Sequence, residues 1–102
     1  MIHVLAIVTA KPGTRAQFLE AYRANLPAVL AEDGCLAYEA VVDVAPGSPG
    51  FAKFGPDVFV VVERWASLAA LQAHAVAPHM KAYAAQVEPW RVSTDVHVLE
   101  AA

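Results

Sequence analysis

The chain has 102 residues, is 58% hydrophobic and 17% charged, and carries a net charge of −3, so a single apolar-rich domain over 1–102 is expected. Its seven Lys and Arg residues are scattered singly from Lys11 to Arg91, which excludes the concentrated basic surface that nucleic acid requires. Cys35 stands alone and the first apolar run has neither the length of a membrane span nor the basic start of a signal peptide, so a cytoplasmic protein with no membrane partner is expected.

Residues 2–10 are almost continuously apolar, with Ile2, Val4, Ile7, Val8 and Thr9 β-branched; this predicts a strand buried on both faces. The turn KPGT follows, with Thr14 placed to cap a helix. Phe18, Tyr22, Leu26, Val29 and Leu30 then recur at spacings of three and four, the apolar stripe of a helix running to about Glu32. Pro27 should kink that helix or end its regular part, and Gly34 supplies the left-handed stop. CLAYEAVVDVA alternates as a strand with Leu36, Tyr38, Ala40, Val42 and Val44 on one face. PGSPGFAKFGPD reads as a long loop.

VFVVVERWA is a strong strand signal, and Ser67 is a cap for a short helix over Leu68, Leu71 and Ala75. Pro78 suits the first position of a second helix that carries Met80, Tyr83 and Val87 on one face. RVSTDVHVLE closes as a strand, with Val92, Thr94, Val96 and Val98 against Ser93, Asp95, His97 and Leu99. The order β-α-β-β-α-β predicts an α+β, ferredoxin-like domain. Its helices can cover one face of an antiparallel four-stranded sheet, yet strands 2–10 and 58–62 are apolar on both. A second copy of the sheet is the simplest cover, so a homodimer with two packed sheets is expected.

The opening HVLAIVTAKPG and the segments EDGCLAYE and FVVVERWASLAALQAHAVAPHMKAY resemble the antibiotic biosynthesis monooxygenase family of dimeric α+β barrels, most nearly its small bacterial quinol monooxygenases. The resemblance runs from the first strand to about Tyr83. It implies a cofactor-independent monooxygenase that oxidises a quinol or similar dihydroxy-aromatic with O2. The alternative it leaves open is a non-redox small-molecule binding or isomerase module of the same fold. The family's haem-degrading branch uses an Asn on the first strand, and HVLAIVTA has none.

His74 and His79 are the candidate catalytic residues. Their spacing of five, broken by Pro78, does not bring two rings to one helical face as an i, i+4 metal pair would, and no third ligand is near in sequence, so no metal is expected. His74 can be a packing residue at the edge of the Leu71–Ala75 stripe, or both histidines can line a pocket between the sheet and the two-part helix. In a helix's first turn, His79 should be held neutral and able to take a proton. Trp65 packs at a sheet–helix junction or, as the resemblance implies, forms an aromatic wall for a planar substrate; Met80 and Tyr83 share that choice, with Phe51 and Phe54 as a candidate lid.

Glu63 shares a face with Phe59, Val61 and Trp65, and needs a partner or a raised pKa; an ion pair at the dimer interface is the expected resolution. Asp95 and His97, two apart on the last strand, are expected to be a solvated or interface pair, and Tyr38 and Cys35 to pack. No G-x-G-x-x-G, P-loop or Cys cluster points to a cofactor. A quinol supplies its own electrons, and the protein need supply only an apolar pocket, a base and a donor for developing charge.

Overall fold

The apolar and alternating runs fold as a four-stranded sheet with its helices on one side. The computed structural model describes residues 1–45 and 50–102. In chain order the elements are β1 (Ile2–Ala10), α1 (Arg15–Leu30), β2 (Cys35–Val41), β3 (Val58–Trp65), α2 (Leu68–Ala75), α3 (Pro78–Val87), a single 3-10 turn (Glu88–Trp90) and β4 (Arg91–Leu99). The strands lie in the order β2-β3-β1-β4 and every pairing is antiparallel, the ferredoxin-like arrangement expected. The two most apolar strands, β1 and β3, are central.

Period-two alternation sends Val4, Ala6, Val8 and Ala10 of β1 and Phe59, Val61 and Trp65 of β3 toward the helices, where all are buried. They meet Phe18, Ala21, Tyr22 and Val29 of α1 and Val87 of α3. Phe18 packs edge-on to Phe59 with centroids 5.2 Å apart; burying one such ring contributes about 1.5–3 kcal/mol. The other alternation set, including Leu5, Ile7, Val62 and Leu99, lies on the face that carries no helix. There Leu5 and Val62 stay 37% and 38% exposed.

Local signals act mostly as expected. Ser67 accepts a hydrogen bond from Ala70 N–H at 3.1 Å, and Pro78 occupies the first turn of α3. Thr14 sits at the start of α1 but does not cap it with its side chain, because its hydroxyl donates to the Lys11 carbonyl at 2.7 Å. Pro27 lies inside α1, which continues to Leu30; its ring is exposed, so water can serve the carbonyl it leaves unpaired. β2 ends at Val41 rather than continuing to Ala45, as Asp43 turns to accept from the backbone N–H groups of Phe54 and Gly55 at 3.0 and 2.8 Å. The first residues of the expected loop, 46–49, lie outside the described residues. Among the described residues no helix is long and apolar enough to cross a membrane.

Among the described glycines, Gly34 is the one that its neighbours approach most closely. Its φ is +80°, and a Cβ there would lie 2.7 Å from the Ala70 Cβ. Its carbonyl accepts from Ala66 N–H at 2.8 Å. The turn after α1 is thereby pressed against the start of α2, and this closeness positions the site.

Candidate functional site

Between the helix-bearing face of the sheet and α2–α3 lies a cavity of about 370 Å³, within the usual range for small-ligand sites. It exists because the residues facing it are short: Val4, Ala6 and Val8 on β1 and Ala75 and Ala84 on the helices do not fill the gap. Interiors normally pack with few voids larger than a water molecule, so a hollow of this size in so small a domain reads as a binding site. It extends toward β4, where Arg91, Thr94 and Val96 lie with Glu88 at its border. The polar groups along its wall are Tyr38, Glu63, His74 and Tyr83.

His74 is the most constrained of these. The last turn of α2 carries it against Trp65, with ring centroids 4.6 Å apart, and edge-on to Tyr38 at 5.4 Å. Its residual exposure is 6%. Nδ1 lies 2.8 Å from Glu32 Oε2, and a carboxylate oxygen only accepts, so Nδ1 is the donor and, in the neutral ring, the lone pair is on Nε2. Nε2 has no hydrogen-bond partner among the described residues, and no buried side-chain nitrogen or oxygen among them lacks a partner. Nε2 is therefore open to the cavity that His74 lines.

The same Glu32 oxygen lies 3.1 Å from Nε2 of His79. Pro78 does end one helix and start the next, but the first turn of α3 aims His79 at Glu32 and not into the cavity, whose wall does not include it. One carboxylate thus holds both rings, His74 on the cavity side and His79 behind. No group of three or more His, Cys, Asp or Glu among the described residues is arranged to hold a metal ion.

Glu63 lines the sheet side of the cavity, and Trp65 lies buried behind it. Trp65 is fully buried and its Nε1–H donates to Glu63 Oε1 at 2.9 Å. Glu63 is only 4% exposed, on the helix side of the sheet. The expectation of an ion pair at a dimer interface is therefore corrected: the carboxyl faces the cavity and has no cation within ion-pair distance among the described residues. Burial pushes its pKa up, against the Trp65 hydrogen bond and the neighbouring His74, with the Glu32 charge adding to the rise. Burial likewise pushes the Tyr38 and Tyr83 phenols well above the usual range, so both stay protonated and can donate. The Met80 sulfur, also in the wall, accepts from Asn25 Nδ2 at 3.4 Å.

Of the residues singled out in the sequence, His74, Met80 and Tyr83 come together at the cavity, Trp65 backs it, and His79 joins through Glu32. Phe51 and Phe54 do not form a lid over it. Both are exposed, and Phe54 lies beside Val58 and Val60 near the end of β2, where Asp43 ties its backbone down. Glu32 and Glu63 are the site residues that sequence reasoning missed or misplaced. For Glu63 the signal was present, a carboxylate on the same strand face as Phe59, Val61 and Trp65.

Comparison with known proteins bears on the family and the fold. The family model described as "Antibiotic biosynthesis monooxygenase" matches residues 1–86. The chain is 36% identical over 102 residues to the "Probable quinol monooxygenase YgiN" of Escherichia coli K12, covering 98% of this chain and 97% of that protein. Among solved structures it resembles one described as an antibiotic biosynthesis monooxygenase, with TM-score 0.81, 26% identity and coverage of 100% and 99% of the two chains. It also resembles Rv0793 of Mycobacterium tuberculosis, with TM-score 0.78, 27% identity and coverage of 99% and 94%. The chain belongs to the antibiotic biosynthesis monooxygenase family.

Proposed function

We propose that the cavity binds a quinol or similar dihydroxy-aromatic and oxidises it with O2, without a cofactor. The observation that carries this reading is the free Nε2 of His74, held toward an apolar cavity by Glu32. The similarity to a protein named as a probable quinol monooxygenase supports the substrate class.

His74 Nε2 takes the phenolic proton, leaving an electron-rich ring anion. The anion passes one electron to O2, and the resulting ring radical and superoxide recombine by forming a C–O bond. The proton held on His74 then returns to the peroxy oxygen, which restores the lone pair at Nε2. The ring hydroperoxide loses water as its O–O bond and the C–H bond at the same carbon break, leaving one oxygen atom on the ring as a new carbonyl. Val4, Ala6, Val8, Met80 and Leu71 exclude water from the ring, while Trp65 fixes the His74 plane from behind.

The chain is further proposed to act as a homodimer in which the helix-free sheet faces pack together. Leu5, Ile7, Val58 and Val62 supply an apolar centre, and Glu39, Arg64 and Asp95 a charged surround suited to a self-complementary two-fold contact.

Purified, metal-free protein assayed with a naphthoquinol with and without oxygen tests the activity. Quinol loss above autoxidation in air, absent under anaerobiosis and absent in His74→Ala, is expected. Oxygen-independent turnover would assign the cavity to isomerase-type chemistry instead, and a rate no faster than autoxidation would remove the monooxygenase reading.

A further inference from the structure

The mechanism above uses His74 and leaves unused a second polar group of the cavity wall. Glu63 is nine-tenths buried and lines the cavity. One of its oxygens is committed, since Oε1 accepts the Trp65 Nε1–H at 2.9 Å. The other, Oε2, has no hydrogen-bond partner among the described residues and is not sealed from the cavity. No Lys or Arg among the described residues approaches within ion-pair distance.

We propose that Glu63 is a second catalytic residue, a carboxylic acid whose Oε2–H donates a hydrogen bond to a ring oxygen of the bound substrate while His74 takes a proton from the other ring oxygen.

Of the groups around Glu63, the Glu32 carboxylate favours the protonated form, while His74 and the Trp65 N–H oppose it. On the α2 side stands His74, on the turn after α1 stands Glu32, and on β2 stand Tyr38 and Cys35. Glu32 is already the partner of both histidines. A second carboxylate beside it, in an apolar wall of Val4, Val61 and Leu71, would be a like charge without a counter-ion. Holding a proton removes that penalty and turns an acceptor into a donor, and burial acts in the same direction. The Trp65 N–H fixes which oxygen carries the proton: Oε1 receives a hydrogen bond and serves as the carbonyl oxygen, so the O–H is on Oε2.

The consequence for chemistry is specific. When the phenolic O–H bond breaks, its proton goes to His74 Nε2 and its electron pair stays on the ring. The negative charge delocalises onto both ring oxygens, and the Oε2–H hydrogen bond strengthens as it does so. Glu63 keeps its proton throughout. The cavity thereby recognises a ring bearing two oxygen substituents and disfavours a monophenol, which would leave Oε2–H buried without an acceptor.

This inference rests on the reading of His74 as the base, and the experiment separates the two. Infrared difference spectra are recorded at pH 7 for the wild type and for Glu63→Gln, with and without a bound naphthoquinone, alongside kcat/KM for a naphthoquinol and for a naphthol. A protonated-carboxyl C=O band, absent in Glu63→Gln and shifted by the quinone, is expected. Glu63→Gln, which keeps a neutral donor, should retain kcat/KM within about threefold. Glu63→Leu should lose about ten- to a hundredfold on the quinol and narrow its preference over the naphthol. A band that is missing at pH 7, or one that the quinone leaves unmoved, overturns the proposal, as does a Glu63→Leu enzyme with unchanged preference. A quinone-shifted band together with no oxygen-dependent turnover in the wild type supports the carboxylic acid donor while defeating the monooxygenase reading.

Discussion

Replacing Glu32 with Gln removes one charge and little volume, and so isolates what holds His74 toward the cavity. Glu32 Oε2 accepts from His74 Nδ1 at 2.8 Å and from His79 Nε2 at 3.1 Å. Hydrogen bonds to a charged group contribute about 1.5–3 kcal/mol and neutral ones about 0.5–1.5, so each bond weakens by about 1 kcal/mol. The two together give about 2 kcal/mol, and because the Glu32 side chain is 15% exposed this is reduced by solvent only in part. At about 1.4 kcal/mol per decade, the His74 share of about 1 kcal/mol should lower kcat/KM for the naphthoquinol about fivefold, through loss of the donor-at-Nδ1 tautomer and its ring orientation. Oxygen uptake on protein whose fold is checked by circular dichroism gives the rate. Nitrogen-15 spectra of the His74 ring give the tautomer, which should be protonated at Nδ1 in the wild type and mixed in the variant. A Glu32→Gln enzyme within twofold of wild type, with an unchanged His74 spectrum, would refute the orienting role.

Three further outcomes follow from the same contacts. Glu63 has a pKa raised in the folded state, so the stability it supports is present below its unfolded pKa and lost as pH rises through the folded value; Glu63→Gln should therefore raise the melting temperature at pH 7.5, and the gain should vanish near pH 4. Gly34→Ala must place a Cβ 2.7 Å from the Ala70 Cβ at φ +80°, which should destabilise by about 1–3 kcal/mol in denaturant titration and lower activity by moving Glu32 off His74. Leu5→Glu, on the helix-free face of β1, should convert a dimer into monomers in analytical ultracentrifugation while leaving the helical circular dichroism intact, and a protein that is monomeric before substitution would remove the dimer proposal.

The elements were legible because their signals are local. Ser67, Pro78 and the β-branched runs set boundaries through capping, a fixed φ and strand packing, and each acts within a few residues of itself. The cavity residues His74, Met80 and Tyr83 were legible for the same reason, as one face of two short helices. Glu32 was not, since it lies 42 residues from His74 in a turn where an acidic residue has no distinguishing pattern. What brings the two together is the absence of a side chain at Gly34, which lets that turn approach Ala70. The lid expectation for Phe51 and Phe54 failed on another non-local contact, the Asp43 carboxylate that ties the loop beside β2. Strand alternation correctly put Glu63 among apolar neighbours, and only the helix packing decides that this face borders the cavity.

The most direct test of the catalytic cavity is a crystal structure of the protein with a naphthoquinone bound. The expected result is a ring lying between β1 and α3, against Met80 and Tyr83, with one ring oxygen within hydrogen-bond distance of His74 Nε2. A quinone seated elsewhere, or in the cavity with His74 turned away from it, would contradict the assignment of His74 as the base.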